Sequence, residues 1–133
     1  RLRETLGNET ADEAELVVGA GPSLVADGKA DVRSAEENIA YDIARGRAPR
    51  TAAGVKKDGT VILLVVDGRS SSSAGMTLQE LASYLVKLGA WQAVNFDGGG
   101  SSEMVLDGKI LNTPSDGRER PVSVGLGVFP TKG

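Results

Sequence analysis

Neither cysteine nor histidine occurs among the 133 residues, and the two absences exclude different chemistries. Without cysteine there is no disulfide framework and no thiolate metal site, although the compartment stays open, because many exported bacterial proteins also lack cysteine. Without histidine the chain cannot by itself build a Ser-His-Asp triad or a histidine-ligated zinc. Acid–base work therefore falls to Asp and Glu, with Lys or Tyr behind them. Aromatics are scarce too, at 4% of residues, which leaves few platforms for stacking on bases or sugars. No apolar run approaches the ~20 residues of a membrane helix, so no membrane span is expected. A clustered basic patch is missing and the net charge is −3, so nucleic acid is not an expected partner. The chain opens on Arg1 and not on methionine, so targeting information is expected to have been removed or to lie upstream.

What is present suffices for one domain with a core and is too short for two. Residues 1–45 hold ten acids and five bases, a net of −5, whereas residues 46–133 hold eight acids and ten bases, a net of +2. Glycine is abundant, and Asp-Gly occurs six times. Asp27-Gly28, Asp58-Gly59 and Asp107-Gly108 each separate short apolar segments, the pattern of a β-hairpin. Asp67-Gly68, Asp97-Gly98 and Asp116-Gly117 are followed by loops rich in Arg, Ser or Gly, and these three loops form the candidate site.

Residues 1–15 are polar and acidic and read as a helical end or lead-in, and Leu16 to Ala20 reads as a strand. Gly19-Ala20-Gly21-Pro22 does not begin a dinucleotide fingerprint, because Pro22 removes a donor where the phosphate-binding helix would start and no third glycine follows in step. The spacing predicts a short helix from Ser34 to Arg45, closed by Gly46. Arg50–Val55 and Thr60–Val66 form a predicted hairpin, and its second strand, V-I-L-L-V-V, is apolar on both faces. A central position covered on both sides is expected for it. The clearest helix signal runs from Thr77 to Leu88: Thr77 and Glu80 form a capping box, Leu78, Leu81, Ala82, Leu85 and Leu88 make one apolar stripe, and Gly89 stops it. Trp91 to Phe96 follows as a strand, with Trp91 a core aromatic sooner than a sugar platform. Strand, loop, helix, strand predicts a right-handed crossover between parallel strands. If those strands are neighbours, Asp67 and Asp97 stand at the same C-terminal sheet edge, where ligands bind in open α/β sheets. A hairpin around Asp107-Gly108, the loop Asn112 to Arg120 and a last strand Val122 to Phe129 complete the chain. The expected fold class is α+β (mixed α/β): a mixed β-sheet with one long amphipathic helix packed on a face.

Val94 to Ser102, V-N-F-D-G-G-G-S-S, is the stretch the rest is organised around. A short apolar run leads into Asp97, then three glycines, then two hydroxyls. A tight turn needs one glycine, seldom three. Each glycine in a fold costs roughly 0.5–1 kcal/mol against alanine, and the usual return is a set of exposed backbone N–H groups able to hold an anion or an oxygen-rich ligand.

Five motifs in order make residues 47–129 resemble the phosphodiester glycosidase family: R-A-P-R-T-A-A-G (Arg47 to Gly54), L-L-V-V-D-G-R-S (Leu63 to Ser70), G-M-T-L-Q-E-L-A (Gly75 to Ala82), N-F-D-G-G-G-S-S (Asn95 to Ser102) and P-S-D-G-R-E-R-P (Pro114 to Pro121). The resemblance implies that residues 1–133 are one phosphodiester glycosidase-like domain with its motif-bearing core at 47–129. Family members begin with an N-terminal half ending in an Asn-Gly-Gly-Phe-Phe-like stretch that has no counterpart here. The expectation is therefore a C-terminal part of the domain, with the missing N-terminal part as a partner. Hydrolysis of a sugar-1-phosphodiester in a phosphate-linked glycan or wall polymer is implied, with a carbohydrate phosphodiester as substrate, no cofactor, and a secreted or cell-envelope location typical of bacterial members.

The residues allow that chemistry. A phosphate monoester leaves as a stabilised anion and needs less general acid than an ordinary glycosidic oxygen, so the requirements are a carboxylate near the anomeric carbon and cations or N–H groups around the phosphate. Asp97 is the first choice for the carboxylate, Glu119 the second member of a pair, and Asp67 stands in reserve. Arg50, Arg69 and Arg120 lie inside the motifs and suit phosphate, together with Thr51, Gly98, Gly99, Gly100, Ser101, Ser115 and Asp116. Competing readings give Arg69–Asp67 and Arg120–Asp97 as loop-pinning ion pairs, and Asp67 and Asp97 as turn formers. Ser70 to Ser73 reads as a solvated loop. At the level of function, the alternatives are a non-catalytic carbohydrate- or wall-polymer-binding module using the same loops, and a hard-oxygen cation site from Asp67, Asp97, Asp116 and Glu119. These carboxylates are scattered and form no EF-hand array, so no metal is expected.

Overall fold

The computed structural model describes residues 18–130. The lead-in over residues 1–15 and the start of the predicted Leu16–Ala20 strand lie outside that range. Val18–Ala20 is not a strand, and the first strand comes later, β1 (Ser23–Ala26). The other elements are β2 (Lys29–Ala30), α1 (Tyr41–Arg45), β3 (Arg50–Val55), β4 (Val61–Val66), α2 (Leu78–Lys87), β5 (Gln92–Asn95), a 3₁₀ turn (Gly99–Ser101), β6 (Val105–Leu106) and β7 (Lys109–Ile110). No helix among the described residues is long and apolar enough to cross a membrane.

Local chemistry makes the turns. Asp27 and Gly28 take φ of 50° and 74°, and Asp107 and Gly108 take 50° and 74°, the paired positive angles of a type I′ hairpin. They join β1 to β2 and β6 to β7. Asp58 turns β3 into β4, its Oδ1 accepting the Thr60 N–H at 2.9 Å. That bond is the largest cause holding the Asp58 carboxyl below the ordinary range.

α2 is the expected amphipathic helix. Thr77 caps it with a complete capping box, in which Glu80 accepts from the Thr77 N–H at 2.9 Å and Thr77 Oγ1 accepts from the Glu80 N–H at 3.2 Å. Leu78, Leu81, Ala82 and Leu85 are fully buried, while Leu88, the last member of the predicted stripe, sits at the C-cap and is 36% exposed. The predicted Ser34–Arg45 helix is shorter in fact. Ile39 N–H bonds to Ser34 O at 2.8 Å and Asn38 N–H to Ala35 O at 3.2 Å, with Asn38 at φ 54°. This is a Schellman stop, and asparagine is the side chain besides glycine that enters it readily. One turn ends at Asn38, and only Tyr41–Arg45 forms α1.

The chain is α+β, a five-stranded sheet in the order β2-β1-β5-β3-β4 with α2 packed on one face. Leu24, Val25, Ala52 and Ala93 meet Leu78, Leu81, Ala82 and Leu85 to make the core, and Ile62, Leu64 and Val66 pack against it from β4. Two expectations need correction. Val61–Val66 is an edge strand and not a central one, with Val61 51% and Leu63 38% exposed on the side away from α2. A run that is apolar on both faces says that both faces want cover, not which element supplies it. Secondly, β4 and β5 run in the same direction but are not neighbours. β3 lies between them and pairs antiparallel with each. The predicted Val122–Phe129 strand forms no ladder among the described residues; the segment bends at Ser123 and is exposed.

Candidate active site

The site follows from register. Arg50 opposes Val66, Ala52 opposes Asn95, and the Phe96 N–H continues the ladder to Thr51 O at 2.8 Å. Hence Asp67 and Asp97 leave the sheet on either side of the first residue of β3, two strand spacings apart, or roughly 10 Å. The edge predicted from parallel neighbours is reached with one strand interposed.

Above this edge the three glycines have three separate reasons. At Gly98 a Cβ would lie 2.8 Å from Pro49 O, and the next N–H, of Gly99, donates to that same oxygen at 3.0 Å. Gly99 takes φ 61° with the Arg69 guanidinium 3.1 Å from where a Cβ would be. At Gly100 the space is filled by the Asp116 carboxylate, 2.2 Å from the position of an added Cβ. Close approach at all three positions, joined by a left-handed φ at Gly99, explains the run. The N–H groups of Gly98 and Gly100 have no partner among the described residues.

Arg50 is 3% exposed. Its Nε donates to Met76 O at 2.9 Å and its Nη2 to Ile43 O at 2.9 Å and Gly46 O at 2.7 Å. No carboxylate among the described residues pairs with Arg50 or with Arg69. Burial first, and the nearby Arg69 charge second, lower the basicity of Arg50. Arg69, exposed and at a left-handed φ of 57°, is turned toward Gly99. Arg120 behaves differently. Its Nη2 donates to Ser101 Oγ and lies 3.9 Å from Asp97 Oδ2, and its Nη1 lies 3.7 Å from Asp116 Oδ2. Of the two alternative ion pairs, Arg120–Asp97 is present and Arg69–Asp67 is absent among the described residues.

Asp67 holds the neighbouring loop. Its Oδ1 accepts from Thr113 N–H at 2.9 Å and Asn112 Nδ2 at 3.2 Å, while its carbonyl accepts from Ser73 Oγ at 2.7 Å. Thr51 Oγ1 donates to the buried Ser102 Oγ at 3.1 Å beneath the glycine loop, and Ser115 Oγ is buried without a partner. Glu119 meets Glu103, whose carboxyl is raised by burial first, then by the Glu119 charge and a hydrogen bond with it. Asp97 itself is open, its side chain 81% exposed.

Sequence reasoning missed two residues here. Asn112 ties Met104 N–H (2.9 Å) to Ser102 O (2.9 Å) and to Asp67; its place at the head of the loop before P-S-D-G was the available signal. Glu103 follows D-G-G-G-S-S directly, and its pairing with Glu119 depends on the fold. The three candidate loops converge on this edge, as Gly100 against Asp116, Arg69 against Gly99 and Thr113 bonded to Asp67 show.

Residues 2–129 match the sequence model of the Phosphodiester glycosidase family. An uncharacterized SPbeta prophage-derived protein of Bacillus subtilis is 45% identical over 74 residues, 56% of this chain and 12% of that protein. The N-acetylglucosamine-1-phosphodiester alpha-N-acetylglucosaminidase of Bos taurus is 43% identical over 67 residues, 50% of this chain and 12% of the enzyme. Among solved structures, the zebrafish catalytic domain of the enzyme of that name, auto-inhibited by its pro-peptide, superposes with a TM-score of 0.64 at 29% identity. The match covers 74% of this chain and 34% of that one. The chain thus spans about an eighth of the length of these curated relatives. With the family model matched over nearly all its length, the chain belongs to the phosphodiester glycosidase family.

Proposed function

We propose that the protein to which this chain belongs hydrolyses a sugar-1-phosphodiester, with the phosphate held by Arg50, Arg69 and the Gly98–Gly100 loop and the anomeric carbon presented to Asp97. The observation that carries this reading is Arg50, a buried guanidinium without a carboxylate partner among the described residues, beside a second cation at the edge that also bears Asp97. Two uncompensated guanidinium groups favour an anion between them, and the unengaged Gly98 and Gly100 N–H groups add donors. The bovine relative is named for an N-acetylglucosamine-1-phosphodiester, and that substrate class suits an anion site next to a carboxylate.

In the reaction the bond from C1 to the phosphate ester oxygen breaks and its electron pair leaves with that oxygen, where the cations stabilise it. Water adds to C1 while Asp97 accepts its proton, or Asp97 bonds to C1 first and water then displaces it, the C1–Asp97 bond breaking as the second carboxylate takes the water's proton. Both routes use the ionised carboxylate, beside which lies Arg120, itself paired with Asp116. Arg120 therefore acts on Asp97 before it acts on phosphate. Glu119, paired with Glu103, supplies the second carboxyl group, and Asp67 keeps the Asn112–Arg120 loop at the edge. Thr51, Ser101 and Ser115 line the loops that receive the substrate.

The test is steady-state kinetics on the full-length gene product with an N-acetylglucosamine-1-phosphodiester. Asp97→Asn is expected to lower kcat by roughly 100-fold or more with little change in KM, and Arg69→Ala to raise KM. Near-wild-type turnover by Asp97→Asn removes Asp97 from the mechanism. Sugar binding without turnover in the wild type assigns the loops to a carbohydrate-binding module.

A further inference from the structure

We infer that Trp91, Lys56 and Lys57 form a second carbohydrate subsite, at the end of the sheet opposite Asp97, which holds one stretch of a phosphate-linked sugar polymer while another stretch lies in the site. The chemistry of the polymer rests on the reading of the site as a sugar-1-phosphodiester hydrolase; the subsite rests on its own geometry.

Trp91 stands at the head of the strand that runs to Asp97. The sequence marks it as a core aromatic, but the structure sets it outside the core: it is half-buried at the sheet end and takes no part in the cluster built on Leu24, Leu78 and Leu85. Its N–H donates to Val55 O at 2.7 Å and its carbonyl accepts from the Gly28 N–H at 2.9 Å, so β3 holds its backbone on one side and the β1–β2 turn on the other. The indole lies against that turn, where a Cβ on Gly28 would come 3.1 Å from its Cε3. Lys57 Nζ sits over the ring, 3.8 Å from its centroid, and the Lys56 side chain runs beside Gly89. With Asp58 and Ala90, these residues line an open depression of about 400 Å³.

Each half of this lining suits one half of a sugar phosphate. An indole is flat and apolar with an electron-rich face, and Gly89 and Ala90 keep the wall beside it apolar, which matches the C–H face of a pyranose. Neither lysine forms an ion pair among the described residues, and a cation–π contact at an exposed site is weak, so both ammonium groups can turn to a phosphate. A phosphate bound there brings the sugar it carries onto the indole. Asp58 adds an acceptor for hydroxyl groups and leaves the depression, with two lysines and one aspartate, at a net of +1. That balance disfavours nucleic acid or polyphosphate, which bring dense charge without the hydroxyl donors of a glycan. Openness favours a polymer crossing the depression, because a small ligand is ordinarily buried over most of its surface. From Trp91 to Asp97 the chain is extended over six residues, roughly 20 Å at the rise of a β-strand. A single sugar phosphodiester cannot touch both ends, whereas a flexible polymer of several units can. Held at Trp91, such a polymer has its other linkages at raised effective concentration near Asp97.

The experiment titrates the full-length gene product, by calorimetry, with a long N-acetylglucosamine oligomer joined through phosphonates, which resist hydrolysis, and with the corresponding monomer. Trp91→Ala and Lys57→Glu are each expected to weaken oligomer binding by roughly 10-fold or more and to leave monomer binding unchanged. With hydrolysable substrates the same variants should raise KM for the polymer and leave kcat/KM for the monomeric phosphodiester as it is. Because the indole also packs on the Gly28 turn, Lys57→Glu at its exposed position decides the matter if Trp91→Ala fails to fold. Equal wild-type affinity for oligomer and monomer, oligomer binding indifferent to Lys57→Glu, or monomer binding lost along with it would overturn the subsite. So would single-stranded DNA or polyphosphate bound as tightly as the oligomer and lost in Lys57→Glu, which would give the depression to polyanions at large. Oligomer binding that depends on Trp91 and Lys57, without hydrolysis of any phosphodiester, would keep the subsite and remove the hydrolase reading; hydrolysis without that dependence would do the reverse.

Discussion

An alanine added at Gly98 and one added at Gly100 should differ in the opposite order to the distances. At Gly100 the new Cβ falls 2.2 Å from Asp116 Oδ2, the tighter clash of the two, whereas at Gly98 it falls 2.8 Å from Pro49 O. What decides the outcome is which neighbour can yield. Asp116 ends a short side chain that is 41% exposed, and it can swing into solvent at the loss of its 3.7 Å pair with Arg120. An exposed pair contributes only about 0.2–1 kcal/mol. The lower entropy of unfolded alanine returns about 0.4–1 kcal/mol, so Gly100→Ala should be near neutral for stability. Pro49 O is backbone, fixed one residue before β3, and accepts from the Gly99 N–H at 3.0 Å. Moving the loop off it stretches that bond, worth about 1 kcal/mol, and adds overpacking strain of about 1–3 kcal/mol. After the same entropic return, Gly98→Ala should destabilise by about 2 kcal/mol. Urea unfolding followed by fluorescence of Trp91, the single tryptophan, reads this as a midpoint lowered by roughly 1–2 M. A larger loss for Gly100→Ala than for Gly98→Ala would refute the reasoning. Both variants should lose activity, since each displaces the loop or the Asp116–Arg120 contact.

Arg50→Met leaves the Met76, Ile43 and Gly46 carbonyls without their guanidinium donor, and about 2–4 kcal/mol of stability should go with it; a midpoint unchanged in urea would mean water replaces the donor freely. Asn112→Ala removes bonds to Met104, Ser102 and Asp67. Roughly 2–3 kcal/mol is expected, together with faster amide exchange at Thr113, whose own bond to Asp67 loses its support. Glu103, raised by burial and then by Glu119, gives stability that is complete below its unfolded pKa and is lost as pH rises through its folded pKa. Glu119→Gln should lower the Glu103 midpoint in a side-chain NMR titration and weaken that pH dependence, and an unmoved midpoint would separate the two groups.

Legibility in the sequence followed the range of the forces. The capping box at Thr77 and Glu80, the Leu78–Leu81–Leu85 stripe and the Asp-Gly hairpins could be read directly, because each is satisfied by neighbours a few residues away. The helix over Ser34–Arg45 was overread, since the apolar spacing carries no mark of Asn38 closing the first turn in the left-handed region. β1 was legible only as an arm of the Asp27-Gly28 hairpin; its pairing with β5 and its packing under α2 were not, because Ser23–Ala26 is only four residues and owes its burial to those distant elements.

The sequence by itself determined which segments offer groups for the proposed chemistry: a carboxylate before three glycines, arginines in polar loops, and no histidine to compete with them. Their composition and order are covalent facts. Only the tertiary structure decided what those groups do to each other. It set β3 between the two aspartate-bearing strands, buried Arg50 among carbonyls in place of carboxylates, turned Arg120 toward Asp97 and Asp116, and set Glu103 beside Glu119. Strand order and charge pairing depend on contacts between residues tens of positions apart, and the free energy of each depends on burial, which a linear sequence does not contain.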